Sequence, residues 1–344
     1  MNLMRYFTHL SLFFCLSCVW ITAVNAIEPS TSLLVNTESR LSEIAQNRNN
    51  EIDSRVKALI ELGKFDGKNA LIAIARATRD SEPALREAAI LAVEEWADIS
   101  RWDVVSPLIK DPEKNVRQQA VRVLLPLWTQ LNQQQQIYMN SAVSGYLEYL
   151  AQLSPNIDNQ LTIANVYLVT EQYVQAEKGY QTLLKHSPQH LRAYLELSEL
   201  YRLQGDNQAT IKLLVDAINI LPADDRLHYT LSLAYIRNKD NARAIKQMKL
   251  AITLVENKSA YQFVLAMIIQ DKEPKQAIGL LETVIETAPT PQYEYALCKL
   301  YIEQKMLTDA MKCVKKLENK IPKKVFLLLN EKLMMAQPIL AKVS

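Results

Sequence analysis

Leu191–Pro222 reads LRAYLELSELYRLQGDNQATIKLLVDAINILP, and its pattern returns 34 residues later. Ser198, Tyr201 and Thr210 recur as Ser232, Tyr235 and Ala244. Prolines mark the same interval along the second half of the chain. Pro155, Pro188, Pro222, Pro289 and Pro322 stand 33, 34, 67 and 33 residues apart, with Glu256 at the one missing beat. A fixed period near 34 predicts an array of identical supersecondary units that grows one unit at a time.

Three further columns keep the phase. Tyr167, Tyr201, Tyr235, Ile268 and Tyr301 form a large one. Ala176, Thr210, Ala244, Ala277 and Ala310 form a small one, as do Ala164, Ser198, Ser232, Leu265 and Cys298 with one exception. Small residues let two antiparallel helices approach where they cross, and the large column fills the space beside the crossing. Proline closes the second helix. Gln204-Gly205-Asp206-Asn207 and Asn238-Lys239-Asp240-Asn241 read as the turns between helices.

These columns resemble the tetratricopeptide repeat, in five copies over about residues 157–322. Glu256, Thr210 and Leu265 depart from the pattern and point to less regular packing in the third and fourth units. A capping helix and tail follow over 323–344, with Val325, Phe326, Leu329 and Leu333 at helical spacing and Pro338 as the stop.

A shorter rhythm precedes this one. Arg55, Arg86 and Arg117 are 31 residues apart, as are Asn49, Asp80 and Asp111, and Ala58, Ala89 and Ala120. Phe65, Trp96 and the Leu127–Trp128 pair also match. This resembles three short HEAT repeats over residues 36–128, and the resemblance implies that the Asp and Arg columns form a structural ladder. Residues 129–156 are read as a linker and a lone helix: the Gln-rich run Thr129–Gln136 as a flexible connection, and Tyr138–Ser154 as a helix opening the second array. The expected fold is an all-α solenoid, a short HEAT-like array followed by a five-unit tetratricopeptide superhelix.

Residues 1–26 have the form of a secretory signal peptide. Arg5 precedes the apolar run Leu10–Trp20, and Val24-Asn25-Ala26 offers small residues for cleavage after Ala26. The expected address is periplasmic or secreted, with no membrane-spanning segment after cleavage. Removing Arg5 takes the net charge from +2 to +1. That balance gives no footprint for nucleic acid, and there is no long polybasic tract for anionic lipid. Cys15 and Cys18 leave with the leader. Cys298 and Cys313 remain on two helices of one hairpin; they are in a position to pair in an oxidising compartment, but two buried free thiols are the preferred reading.

Motifs for chemistry are missing. There is no P-loop, dinucleotide fingerprint, Gly-x-Ser-x-Gly elbow or Cys-x-x-Cys-His. His186 and His190 are four apart but have no carboxylate or cysteine cluster around them, so they read as solvated loop, and His228 as the edge of the core. No cofactor, metal or catalytic residue is expected.

What the tetratricopeptide resemblance implies is a surface, because the first helix of each hairpin lines the concave face in that family. The corresponding positions are Leu161, Asn165 and Leu168 in the first unit, and Arg192, Leu195, Glu199 and Arg202 in the second. The third unit gives Arg226, Tyr229, Leu233 and Ile236. Gln262, Phe263 and Ala266 follow in the fourth, and Tyr295 and Lys299 in the fifth. Aromatic side chains interleaved with arginines suit a peptide or protein partner. The Lys/Asn clamp that some family members use for acidic chaperone tails is absent: Leu161 replaces the lysine and Glu196 stands at an asparagine position. The order of the arrays also resembles the C-terminal part of exported bacterial multihaem cytochromes, without the haem part. The expected function is an exported, non-enzymatic binding scaffold, with a redox or secreted protein as the expected kind of partner. An envelope assembly factor holding proteins in transit is the alternative. The oligomeric state is open.

Overall fold

The computed structural model describes residues 31–336 except 97–98, 154–155 and 256–257. The leader, Pro155, Glu256, Pro338 and the tail lie outside the described residues, which form eighteen α-helices and no strand. The chain divides after Leu127 into two compact units.

The first unit is three helix pairs. Helix α1 (Thr31–Gln46) pairs with α2 (Ile52–Leu62), and α3 (Lys68–Ala77) with α4 (Pro83–Ala92). Helix α5 (Ser100–Val105) continues as a 3-10 turn, Ser106–Lys110, and precedes α6 (Lys114–Leu124). The array thus begins at Thr31 rather than at Asn36. Pro107 sits in the first turn of the 3-10 segment, where its missing N–H is tolerated, and marks the break in that third pair.

The Arg and Asp columns join successive pairs. Arg55 Nη2 donates to Asp80 Oδ2 at 3.0 Å. One period on, Arg86 grips Asp111 through Nε and Nη2 at 2.7 and 2.8 Å. Arg86 Nη1 also donates to the carbonyls of Asp80 and Ser81. Each aspartate meanwhile accepts from the backbone N–H two residues on, Glu82 and Glu113. Burial alone would raise both carboxyls. The arginine and backbone hydrogen bonds outweigh it and hold Asp80 and Asp111 below the ordinary carboxylate range.

The second unit opens with α7 (Gln133–Gln152). The glutamine-rich run is therefore not a flexible linker. Asn132 Oδ1 accepts from Gln135 N at 3.0 Å and Gln135 Oε1 accepts from Asn132 N at 2.9 Å, a capping box that starts the helix five residues before Tyr138. Five hairpins follow: α8 (Ile157–Val169) with α9 (Tyr173–His186), α10 (Leu191–Leu203) with α11 (Asn207–Ile220), and α12 (Asp225–Arg237) with α13 (Asn241–Leu254). Then come α14 (Ser259–Ile269) with α15 (Pro274–Thr287), and α16 (Pro291–Glu303) with α17 (Leu307–Leu317). Helix α18 (Lys323–Ala336) packs on α16 and α17.

Every residue of both small columns is buried, Leu265 included. At the first crossing a Cβ on Gly179 would come within 2.9 Å of the Ala164 Cβ, which shows how closely α8 and α9 approach. Ser232 fits its crossing by donating its hydroxyl to the Ala244 carbonyl at 2.8 Å.

Four of the five intra-hairpin turns are alike. Glu171, Gly205, Lys239 and Lys305 have φ of 62, 76, 61 and 57°, the left-handed region. In each, the N–H of the next residue reaches back to the column tyrosine's carbonyl: Gln172 to Tyr167, Asp206 to Tyr201, Asp240 to Tyr235 and Met306 to Tyr301. The fourth unit departs. Its column residue is Ile268, the corresponding Lys272 is not left-handed, and Glu273 N instead bonds Ile269 O at 2.8 Å. Three of the four left-handed positions carry a side chain that disfavours the conformation. Lys239→Gly is expected to stabilise the second unit by about 1 kcal/mol, the relief of strain exceeding the added entropy of the unfolded chain. Urea unfolding measures it; an unchanged or lowered midpoint would contradict the strain argument.

Cys298 and Cys313 do not remain free thiols. They form a disulfide between α16 and α17, with S–S 2.06 Å and Cα–Cα 5.4 Å. Cys298 lies at the small-column crossing, which brings the two backbones within reach.

A candidate partner-binding groove

The first helices of the hairpins place their predicted facing residues unequally. In the first unit Leu161 and Leu168 are buried in the core, and Asn165 Oδ1 accepts from the buried Tyr180 hydroxyl at 2.7 Å. In the fourth unit α14 is apolar nearly all round, and Tyr261, Phe263, Val264, Leu265, Ala266 and Ile269 are all buried. Leu161, Leu168, Phe263 and Ala266 therefore do not offer surface to a ligand. Packing of neighbouring hairpins covers them, and Phe263 stacks tilted on Tyr293 at 4.6 Å between centroids. Gln262 remains half-buried.

The second and third units keep their facing residues accessible. Arg192 and Arg226 are exposed, and Leu195, Glu199, Arg202, Leu233 and Ile236 are half-buried. In the fifth unit Tyr295 and Lys299 are half-buried, with Lys299 Nζ 3.4 Å from Glu303.

The structure adds three features to this face. The first concerns Glu196, whose carboxyl is raised by burial, against the attraction of Arg192 at 3.5 Å and with repulsion from Glu199. The second is Arg237, one residue beyond the predicted Ile236. Burial, then repulsion from Arg202, lowers the Arg237 guanidinium below its ordinary value, with Glu199 pulling the other way. Its Nε donates to Asn207 Oδ1 at 3.1 Å, while the nearby Glu199 is engaged by Arg202 through two hydrogen bonds of 2.5 Å. A half-buried cation thus sits at the C-terminal end of α12 with an amide as its hydrogen-bond partner.

The third feature is a network at one wall. Asp225 accepts from the Tyr261 hydroxyl at 2.7 Å and from Lys258. Lys258 Nζ lies 4.8 Å from the Tyr261 ring centroid, and Tyr261 stacks on Tyr229 with centroids 4.4 Å apart. Burial and the Asp225 hydrogen bond push the Tyr261 hydroxyl up. Burial, with Tyr293 nearby, pushes Tyr229 up to about 12. One face of Tyr229 is therefore already taken, and the ring braces the groove. Arg226 is paired with Asp224 at its exposed end. The Asp224-Asp225 doublet was the available sequence signal for this network.

His228 is buried, with Nε2 3.0 Å from the Pro222 carbonyl oxygen and Nδ1 2.7 Å from Gln247 Oε1. His190 caps α10 by accepting from Ala193 N, and His186 is exposed. Among the described residues no group of three or more His, Cys, Asp or Glu is placed to hold a metal.

Stacked helical hairpins with this turn and crossing define a helical-repeat fold of the tetratricopeptide type. The chain is similar to yeast Tom70 at a TM-score of 0.53 and 13% identity, over 95% of this chain and 68% of that one, a likeness of fold alone. It is similar over 56% of its length to YrrB, described as a TPR protein with an unusual peptide-binding site (TM-score 0.44, 16% identity, 98% of that chain). MamA aligns over 50% of this chain and 97% of its own, at a TM-score of 0.41 and 19% identity. No family model and no curated protein matches the chain.

Proposed function

We propose that the protein is an exported, non-enzymatic scaffold that binds a protein or peptide along the face of its second and third hairpins. The observation that carries this reading is the middle of the groove. Leu195, Leu233 and Ile236 keep partial exposure there, and the half-buried Arg237 at the end of α12 is bonded to Asn207. A peptide carboxylate would supply the charge that Asn207 cannot, and apolar side chains beside it would cover the three aliphatics.

The disulfide supports export, because such bonds persist in oxidising compartments. The leader-like residues 1–26 point the same way. Within that compartment a redox or secreted partner fits the reading, and binding of unfolded envelope proteins is the alternative.

Crosslinking in intact cells, followed by titration of the captured partner with purified protein, tests this. Arg237→Glu and Ile236→Glu are each expected to weaken binding by about tenfold or more. Lys249→Glu, exposed on the second helix α13, is expected to leave it unchanged. Equal affinity of all three variants would remove the groove from the account. Preference for unfolded over folded clients would favour the assembly-factor reading.

A further inference from the structure

A capping helix of a solenoid ordinarily turns a polar face outward. Helix α18 does not. Leu329 and Leu333 are buried against the array, with Val325 and Phe326 half-buried on the same side. On the opposite side Leu327, Leu328, Met334 and Met335 are 55, 53, 61 and 74% exposed. Helical spacing puts Leu327 and Met334 in one row and Leu328 and Met335 in another, with Glu331 between them. Lys323 flanks the first row and Lys332 the second, while Lys324 lies between the rows one turn before Leu328; all three lysines are exposed. Four large apolar side chains on one rigidly packed helix are more than scattered surface residues.

Charge narrows what covers this face. From Lys305 to Ala336 there are eight lysines and three acids. No single run is long, but α17 adds the exposed Lys312, Lys315 and Lys316 to those of α18. A second copy docked on α18 would bring two lysine-rich segments of like net charge together, which disfavours a homodimer through this face. An anionic phospholipid surface meets both halves of the pattern: apolar rows enter the headgroup–acyl boundary while lysine stems reach back to the phosphates. Among the described residues no helix is long and apolar enough to cross a membrane.

We propose that α18 docks the protein on an anionic phospholipid surface, with Leu327, Leu328, Met334 and Met335 inserted and Lys323, Lys324 and Lys332 on phosphate groups. The binding groove would then be held at the membrane by its final helix.

The test is flotation of the purified chain with two kinds of vesicle, phosphatidylcholine alone and phosphatidylcholine with phosphatidylglycerol. Binding is expected only to the second kind and only at low salt, since screening at high ionic strength removes the attraction. Leu328→Gln/Met335→Gln and Lys323→Glu/Lys324→Glu are each expected to reduce binding by about a hundredfold. These side chains point away from the core, so circular dichroism should show both variants folded. No binding to phosphatidylglycerol vesicles, as expected if an acidic protein or the chain's own tail covers the face, overturns the proposal. So does equal binding of folded variants. A dimer in sedimentation equilibrium that the Leu328→Gln/Met335→Gln change abolishes overturns it in favour of a second copy.

Discussion

Arg86→Ala is expected to destabilise the N-terminal unit by about 3–5 kcal/mol. The Arg86 and Asp111 side chains are 9 and 4% exposed and joined by two hydrogen bonds. Removing the guanidinium leaves the Asp111 carboxylate in place with the Glu113 N–H and no bonded cation, in a setting where burial already disfavours its charge. It also frees the carbonyls of Asp80 and Ser81, which belong to the turn before α4. Replacing both partners by apolar residues, Arg86→Met with Asp111→Leu, should recover part of the loss, because it removes the stranded charge but not the missing turn contacts. Urea unfolding followed by tryptophan fluorescence and circular dichroism reads the effect. A loss below about 1 kcal/mol would place this pair with ordinary surface bridges. The pH dependence has a definite sign. Asp111 is depressed in the folded state, so its contribution is fully present above the unfolded value near 3.9. It is lost as pH falls through the lower folded value. The stability gap between wild type and Arg86→Ala should therefore narrow under acid.

The second large effect is expected at the disulfide. Replacing both Cys298 and Cys313 by alanine should cost about 3 kcal/mol for a crosslink between residues fifteen apart. Alanine suits the test, because position 298 belongs to a column otherwise holding Ala164, Ser198, Ser232 and Leu265, so the crossing stays filled. The loss then reports the crosslink more than a cavity. The slope of unfolding against denaturant should rise, since the uncrosslinked chain exposes more surface when unfolded. Double-alanine protein with the midpoint of the oxidised wild type would show that the bond adds nothing to the fold.

Much of the architecture was legible because its determinants repeat. Each small-column residue reports a helix crossing, and each tyrosine of the large column sits where the turn's backbone hydrogen bond returns. The Arg–Asp ladder was legible for the same reason. Helix α7 was read short because a run of glutamines carries no apolar period, and the decisive signal was the local pair Asn132 and Gln135. The groove was only partly legible. Concavity follows from position in a hairpin, but exposure depends on what the neighbouring hairpin lays over that position. Leu161 and Ala266 are covered while Leu195 and Leu233 are not, although each pair shares a kind of side chain. Arg237 was missed because its significance lies in burial and in Glu199 being engaged elsewhere, and neither is written in one residue's identity. The disulfide turned on a distance between two helices that spacing alone does not give.

The closed fourth hairpin has a consequence for how a partner must be written. A chain lying along this face finds accessible side chains on the second and third hairpins, then a buried stretch at Ala266 and Ile269, then Tyr295 and Lys299. On the proposed reading, recognition would be punctuated: a main phrase, a pause about one hairpin wide, and a short second phrase. The pause tolerates any residues long enough to cross it. Partners reading both phrases gain from tethering the second behind the first, whereas those with too short a spacer keep only the main one. Sequences with little overall likeness can therefore share one docking face, distinguished by the length of their silence.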